Sequence, residues 1–571
     1  MSTIDLIDAA ELSEHGSIDN EQDQFVDHYE RDLSMDHTEK EEAQHEQYQF
    51  DVIVIGSGPG GGAIRCAQLG KSVAIVERDL LGGHAVNWGC IPLNAMIASA
   101  RIIRSIHESV RYGIDISSHR IDFLRIARHR DEAVKKSRSQ IKSFLEKYHI
   151  QVYTGVANII DKNHIRIKPI QKYTYANVYN ADGGNPYETD DYVPIRTDVE
   201  ISGKNIIIAS GVEYELPNFV EAYDIKTVDP TRLLWHKNIP DSLIIVGGGV
   251  LGCEFASLYR HLRSNIVLIE KNSRLLKFMD EQVSFAVETR LKDIGVDIIL
   301  NAHVERVSKG EVIVQLQQTN TKRTVFGSLV VICTGRKPTF NYENLQNLGI
   351  AIDQERSTII IDENTCQTSI PTIYACGGVV SSCWSWIPCA IHQGHLAANA
   401  ISEKILNEYK DNNKSHIPIN LVTPFVVNVI PAVASAGEVP KLTDDVLIYT
   451  FKFQSNRRAI IDDQTWGFIK MWTTREEPKK FLAVQLVHEA AAEIIEYYSM
   501  IISLSKQLSK SNKNSSLLFF IVKSIFSLHS DIPLREVCRL PFAHPTYTES
   551  VKEACEYVLD QSMSYEGTYL N

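Results

Sequence analysis

Two glycine clusters have the spacing that phosphate chemistry requires. In Gly56-Ser57-Gly58-Pro59-Gly60-Gly61, the residues Gly56, Gly58 and Gly61 satisfy G-x-G-x-x-G. The first glycine permits a tight turn. The second lets the backbone approach a pyrophosphate, and the third lets a helix pack closely on a strand. A helix starting there offers free N–H groups and a positive dipole end to phosphate oxygens. Glu77 lies 21 residues beyond Gly56, where a carboxylate can accept hydrogen bonds from ribose hydroxyls. The second cluster repeats the device at Gly247, Gly249 and Gly252, with Glu270 lying 23 residues after Gly247. An acid at that place favours a free 2′-hydroxyl and therefore NAD over NADP. Lys271 and Arg274 stand beside it as a counter-influence. A lone G-x-G-x-x-G is a weak signal, and a glycine turn without a ligand is its plain alternative. Two such turns, each between strands and each followed by an acid, make that alternative a double coincidence.

The elements that must hold these turns are legible in the same stretch. Phe50 to Ile55 is a β-branched apolar run, as a buried parallel strand should be. A helical stretch follows the glycines, and Ser72 to Glu77 reads as the next strand, which completes a βαβ unit. A second unit begins with the strand Leu243 to Val246 and closes with Asn265 to Glu270. Between them, Met96 to about Tyr148 is helical and basic, with Arg and Lys expected on solvated faces. Tyr173 to Thr197 is polar and rich in Tyr, Asn, Asp and Gly, and reads as an inserted hairpin or loop without chemistry. From Leu421 the pattern becomes strand-rich, then helical, then a long polar run carrying an apolar stretch, Leu517 to Phe526.

The bulk numbers bound the reading. A chain of 571 residues exceeds one hydrophobic core, so roughly three to four domains are expected. With 44% hydrophobic and 23% charged residues it has ordinary globular composition. A formal net charge of -13 argues against nucleic acid or an anionic membrane as the main partner. Ten cysteines without C-x-x-C spacing make neither a disulfide scaffold nor a structural zinc site, and no metal is expected. They suit a reducing, cytoplasmic compartment. Leu517 to Phe526 is too short to span a bilayer. The first 48 residues form an acidic tail without the features of a signal or transit peptide, expected to be disordered.

Further motifs fall in a recognisable order. They are Gly82 to Asn94 (GGHAVNWGCIPLN), Asn205 to Gly211 (NIIIASG), Thr334-Gly335-Arg336 with Pro338, Pro371 to Val379 (PTIYACGGV), Ser455-Asn456-Arg457 and Ala543-His544-Pro545-Thr546. From Gln49 to Glu556 this order resembles the class I pyridine nucleotide–disulfide oxidoreductases, to which dihydrolipoamide dehydrogenase, glutathione reductase, mercuric reductase and the soluble transhydrogenase belong. The resemblance implies an α/β fold with two Rossmann-like dinucleotide-binding domains and a C-terminal α+β interface domain. The expected boundaries are an FAD domain at 49–235 and 361–415, an NAD domain at 236–360 and an interface domain at 416–571. It implies FAD and NAD(H) as cofactors and a homodimer with shared active sites. It further implies cofactor contacts at Arg78, Gly82, Gly83, His84, Asn94, Ala157, Ser210, Gly211, Glu254, Val304, Gly335, Gly378 and Ile387, and catalytic roles for Cys90, His544 and Glu549.

The departures from the family pattern are specific. The family's redox disulfide joins two cysteines separated by four residues, and here Ala85 holds the first place and Cys90 the second. Dithiol–disulfide exchange needs an attacking and a resolving thiol, so that route is closed unless another cysteine substitutes. Asn94 stands where the family has a Lys near the flavin, Gly378 where it has an Asp, and Pro388 where it often has a His. Cys90 then has three readings: a flavin-proximal thiolate, an inert packed thiol, or half of a disulfide with another cysteine. Cys376, Cys383 and Cys389 are read as core. His544 and Glu549 are five apart, and a carboxylate partner suits an imidazole to acid–base work, with an interface histidine as the plain alternative. The expected function is hydride transfer from NADH to flavin and then to a small acceptor: a quinone, oxygen or another pyridine nucleotide. A non-catalytic binding subunit and a disulfide reductase using Cys90 with another thiol stay open beside it.

Overall fold

The computed structural model describes residues 48–171, 175, 178–188, 192–381, 386–402, 422–510 and 534–559. The acidic tail, Cys383 and the apolar stretch 517–526 lie outside them.

The first sheet is built around the strand β1 (Phe50–Ile55). Val52, Ile53 and Val54 are fully buried, as their β-branched run requires of a strand covered on both faces. β1 pairs in parallel with β2 (Val73–Glu77) on one side and with Val199–Ile208 on the other. Gln151–Thr154 extends the β2 edge in parallel, and Ile373–Ala375 adds to Val199–Ile208 in the same sense. The antiparallel strands Val156–Ile159 and His164–Lys168 complete a seven-stranded sheet. Both α1 (Ala63–Gln68) and the later helix Ile387–Ile401 pack beside β1.

The second sheet has five parallel strands in the order 297–299, 265–269, 242–246, 329–332, 227–228. An antiparallel meander of Ala302–Ser308, Glu311–Leu316 and Thr321–Phe326 covers one face through Val304, Val307, Val312 and Val314. The third sheet is antiparallel with five strands, 425–427, 433–437, 481–487, 468–474 and 446–452. The helices Ala491–Lys510 and Glu549–Val558 bury Ile494, Ile495, Tyr498, Val551 and Ala554 against it.

Two expectations need correction. Within Tyr173 to Thr197, expected to be an inserted hairpin or loop without chemistry, described residues reach into the interior. Tyr175, Val178, Tyr187 and Tyr192 are all buried and join a core cluster with Trp88 and Trp235. The basic helix Phe123–Lys147 also does not keep its cations in water, because Arg130 and Arg138 are buried. Arg130 donates to Asp131 Oδ1 and lies 4.1 Å from the Trp235 ring centroid. Pairing and cation–π contact together let an arginine enter a core that its type alone would avoid.

Candidate active site and cofactor cavity

Gly56 leaves β1 with φ +102°, and a Cβ there would lie 2.4 Å from Ala209 O. Only glycine allows this close pass over the end of the neighbouring strand. A Cβ at Gly61 would lie only 3.1 Å from Val54 Cγ1 and 3.2 Å from Gly56 O, the tight helix–strand approach expected of the third glycine. Gly58 faces open space. Glu77, at the end of β2, accepts from Ser57 N (2.8 Å), Ser57 Oγ (2.6 Å) and Asp79 N (2.8 Å). Its carboxylate therefore shapes the turn as well as lining the cavity beyond it.

That cavity holds about 580 Å³. Gly56, Gly58, Glu77, Arg78, Gly83, His84, Ala157, Ser210 and Gly211 all line it. Gly82 stands just behind, with its N–H donating to Ser57 Oγ at 2.9 Å. Gly61, Asn94, Gly378 and Ile387 are not among the lining residues. Asn94 donates through Nδ2 to Cys90 O one helical turn back (2.9 Å), so its amide serves its own helix. Gly378 belongs to the turn 377–379, anchored by Gly377 N donating to Gln393 Oε1. Ile387 opens the helix Ile387–Ile401, followed by the exposed Pro388.

Several lining residues were not foreseen: Ser57, Asp79, Trp88, Tyr175, Lys337 and Thr339. Burial, then the Glu77 charge, pushes the Asp79 carboxyl up to about 6. Trp88 Nε1 donates to it at 3.2 Å. Among the described residues, Ser210 Oγ and Thr339 Oγ1 are buried with no hydrogen-bond partner. Orphan hydroxyls in a concave wall, beside a glycine facing open space, suit a polar ligand that would satisfy them. At the mouth, Glu213 bridges Arg78 (3.5 Å) and Lys337 (3.9 Å).

The redox stretch lies next to this cavity. α2 (Gly83–Asn87) ends at Trp88, and α3 (Cys90–Glu108) begins after Gly89. Ala85 is buried. His84 Nε2 lies 3.2 Å from Tyr214 Oη, and burial, then Arg336, pulls its pKa down to about 3, so the imidazole is neutral. Cys90 reaches solvent, yet the cleft around it desolvates the thiol and Glu254 adds a like charge, and together these raise it above the ordinary value against Arg336. A thiol, not a thiolate, is the form at neutral pH, which removes support from a standing thiolate. Burial pushes Cys66 and Cys366 up to about 12 and Cys376 higher still, so these three are inert core.

The second turn reproduces the first. Gly247 has φ +111°, Gly252 is so close to Gly247 O that no side chain fits, and Gly249 faces open space at the start of the helix Val250–His261. Glu270 accepts from Gly248 N (2.6 Å) and Asn272 N (2.8 Å). Arg274 donates to Met279 O, Lys277 O and Ser284 Oγ, so its guanidinium braces its own loop and is not free for a 2′-phosphate. Glu254 lies on this helix, and burial pushes its carboxyl up to about 7 while Asn428 N donates to it at 2.7 Å. Val304 is buried in the covering meander, and Gly335 follows the strand 329–332 facing open space.

In the third sheet region, Asn456 Nδ2 donates to Thr546 O (3.2 Å) and to Glu553 (3.1 Å). This joins the two C-terminal motifs. His544 is exposed, and its Nδ1 lies 2.9 Å from Glu549 Oε1, whose other oxygen accepts from Thr546 N (2.9 Å). The carboxylate thus orients the ring with Nε2 outward. Among the described residues no cluster of three or more His, Cys, Asp or Glu is placed to hold a metal, and no helix is long and apolar enough to cross a membrane.

Residues 50–401 match the family described as pyridine nucleotide-disulphide oxidoreductase, and residues 423–515 match its dimerisation domain. The chain belongs to this family. It is 29% identical over 466 residues to dihydrolipoyl dehydrogenase of Bacillus subtilis, covering 80% of this chain and 90% of that protein. It is 31% identical over 338 residues to dihydrolipoyl dehydrogenase of Acholeplasma laidlawii, covering 58% and 90%. Among solved structures, LpdA of Mycobacterium tuberculosis shares the fold with a TM-score of 0.70 at 21% identity, covering 89% of this chain and 99% of that one. The flavoprotein disulfide reductase RclA of Escherichia coli does so with 0.66 at 23%, covering 88% and 98%. Members of this family are flavin-dependent NAD(P)H oxidoreductases, and those like dihydrolipoyl dehydrogenase use FAD and NAD(H). The orphan hydroxyls, the open glycine and the cavity between them fit the first cofactor, and the open Gly249 before a helix start fits the second.

Proposed function

We propose that this family member is a homodimeric FAD-dependent NADH oxidoreductase that delivers electrons to a small acceptor without an internal disulfide. The observation that carries this is Ala85 beside a Cys90 whose thiol is held protonated. FAD, when bound, supplies two-electron exchange with NADH. We assign its pyrophosphate and ribose to Gly56, Gly58, Glu77 and Ser210, with Arg78, Gly82, Gly83, His84, Ala157 and Gly211 shaping the cavity wall. NADH is assigned to Gly247, Gly249, Gly252, Glu270 and Glu254, with Val304 and Gly335 as supports. Residues 49–235 with 361–415, 236–360, and 416–571 are the corresponding FAD, NAD and interface domains.

Reduction of a quinone-like acceptor takes up protons as well as electrons. His544, oriented by Glu549 and exposed, is suited to provide one, which gives the pair a task even where no thiol needs it. The neutral His84 and the protonated Cys90 add no charge beside the site.

The test is a spectrum of the purified protein before and after NADH, followed by turnover with a quinone, oxygen, a second pyridine nucleotide and lipoamide. A flavin band that bleaches with NADH, with turnover of the first group and none of lipoamide, is expected. A colourless protein would leave the chain a binding or structural subunit. Lipoamide reduction accompanied by the loss of two titratable thiols on oxidation would restore a disulfide mechanism through Cys90 and another cysteine.

A further inference from the structure

One cysteine pair takes no part in the site above. Cys538 ends the short helix Leu534–Cys538, and Cys555 lies in the middle of Glu549–Val558. The two helices pack side by side through Leu534, Val537, Val551 and Ala554 in the core of the third sheet region. Cys538 packs against the same cluster that buries Cys555, which brings the two thiols close enough to act on one another. The segment between the helices, 539–548, carries His544, and Glu549 opens the second helix. A covalent link between the two sulfurs would therefore fasten both ends of the loop that presents the His544–Glu549 pair.

The two thiols are unlike. Cys555 is fully buried, whereas Cys538 is only partly buried. The Cys555 thiol lowers that of Cys538, whereas burial raises Cys66, Cys253, Cys333, Cys366 and Cys376. Lys552 assists it and Glu556 opposes it. Nearby, the Tyr498 hydroxyl is fully buried without a hydrogen-bond partner and lies within electrostatic reach of Cys555. A partly exposed, acidified thiol backed by a buried one is the arrangement of an attacking and a resolving cysteine. Simple core packing accounts for Cys555 but not for a partly exposed Cys538 packed against the same cluster.

We propose that Cys538 and Cys555 form a reversible dithiol–disulfide site, oxidised by a low-molecular-weight disulfide such as glutathione disulfide, that locks the His544 loop. Cys538 thiolate attacks one sulfur of the small disulfide, expelling the first thiol and leaving a mixed disulfide. Cys555, giving up its proton, then attacks the Cys538 sulfur and expels the second thiol. Two electrons pass from the protein pair to the reagent, and excess small thiol reverses both steps.

The experiment uses the full-length flavin-loaded dimer, incubated with glutathione disulfide, alkylated under denaturing conditions and mapped without reduction. The expected result is a peptide cross-linked between Cys538 and Cys555, lost on adding reduced glutathione, and a raised thermal midpoint in the oxidised form. C555S should stop at a glutathione adduct on Cys538, and C538S should leave Cys555 unmodified. If C555S does not fold, the wild-type map and C538S decide the matter alone. Free, alkylatable Cys538 and Cys555 after prolonged incubation with excess glutathione disulfide would overturn the proposal. So would a wild-type Cys538 adduct that never resolves.

Discussion

At the residue scale, the two carboxylates that close the βαβ units behave as copies of one device. Glu77 takes a backbone N–H from the second residue of its turn and another from two residues downstream. Glu270 does the same with Gly248 and Asn272. Each substitution Glu→Gln replaces an acceptor by a donor facing a buried N–H, which should cost about 1–3 kcal/mol. E77Q is expected to lose flavin on dialysis while NADH binding persists. E270Q should keep its flavin and raise the KM for NADH, and an unchanged KM would remove Glu270 from the site. Glu254 supplies a pH dependence of its own. Its pKa is raised from the usual carboxylate value to about 7, so between these limits the folded protein binds more proton than the unfolded chain. Stability from this group is therefore full at acidic pH and declines as pH rises towards 7, by a few kcal/mol in all. His488, stacked on Phe453 and pulled by burial down to about 4, acts with the opposite sign, adding stability as pH rises from about 4 to the ordinary histidine value. E254Q should therefore shift the slope of unfolding free energy against pH between about 5 and 7 in the positive direction. Denaturant unfolding at several pH values reads this directly, and an unaltered slope would place the Glu254 proton elsewhere.

At the element scale, what could be read in advance was whatever repeats or has a fixed period. The strands Phe50–Ile55 and Ser242–Val246 stood out because runs of β-branched residues have few alternatives once glycines follow them. The turns were legible because their geometry admits only glycine at Gly56 and Gly247. The Tyr-rich segment was not, since its period is neither 2 nor 3.6 and its polar residues resemble those of a solvated loop. What decides its fate is a distant partner: Trp88 packs at 4.8 Å on Tyr175, 5.9 Å on Tyr187 and 5.6 Å on Trp235. No local pattern announces that a tryptophan placed between Ala85 and Cys90 will recruit an insertion some hundred residues on. Arg130 was equally illegible, because its burial depends on Asp131 and Trp235 together. This cluster also lines the cofactor cavity, so fold and site meet in it. W88A should cost about 3–5 kcal/mol as a large-to-small core change, seen as a lower urea midpoint. It should also weaken flavin retention, because the wall formed by Trp88 and Tyr175 loses its support. Loss of stability with flavin affinity intact would separate the two roles.

At the scale of the whole molecule, the question is whether one subunit can work alone. The cofactor cavity and the His544–Glu549 pair belong to different sheets, and the match to a dimerisation domain over 423–515 supports a second chain beside the first. If His544 serves the partner's flavin, each site takes its cavity from one chain and its imidazole from the other, the isologous arrangement of a two-fold dimer. Two disabled chains then separate the possibilities. A Cβ at Gly58 meets nothing within 4 Å, so G58W should project its ring into the cavity and exclude FAD. H544Q should keep its flavin and lose turnover. Each alone is inactive. Co-expressed as a statistical mixture, half of the dimers pair one chain of each kind. In such a dimer one site carries both defects, and the other combines an intact cavity with an intact imidazole. Shared sites thus predict recovery to about a quarter of wild-type activity in the mixture and about half in the purified mixed dimer. If His544 serves its own subunit, every site in the mixed dimer has one defect, and no activity returns. Turnover of the affinity-purified heterodimer, set against the flavin content of the same sample, distinguishes the two arrangements, because an intact cavity without a functioning imidazole would bind flavin and still fail to turn over.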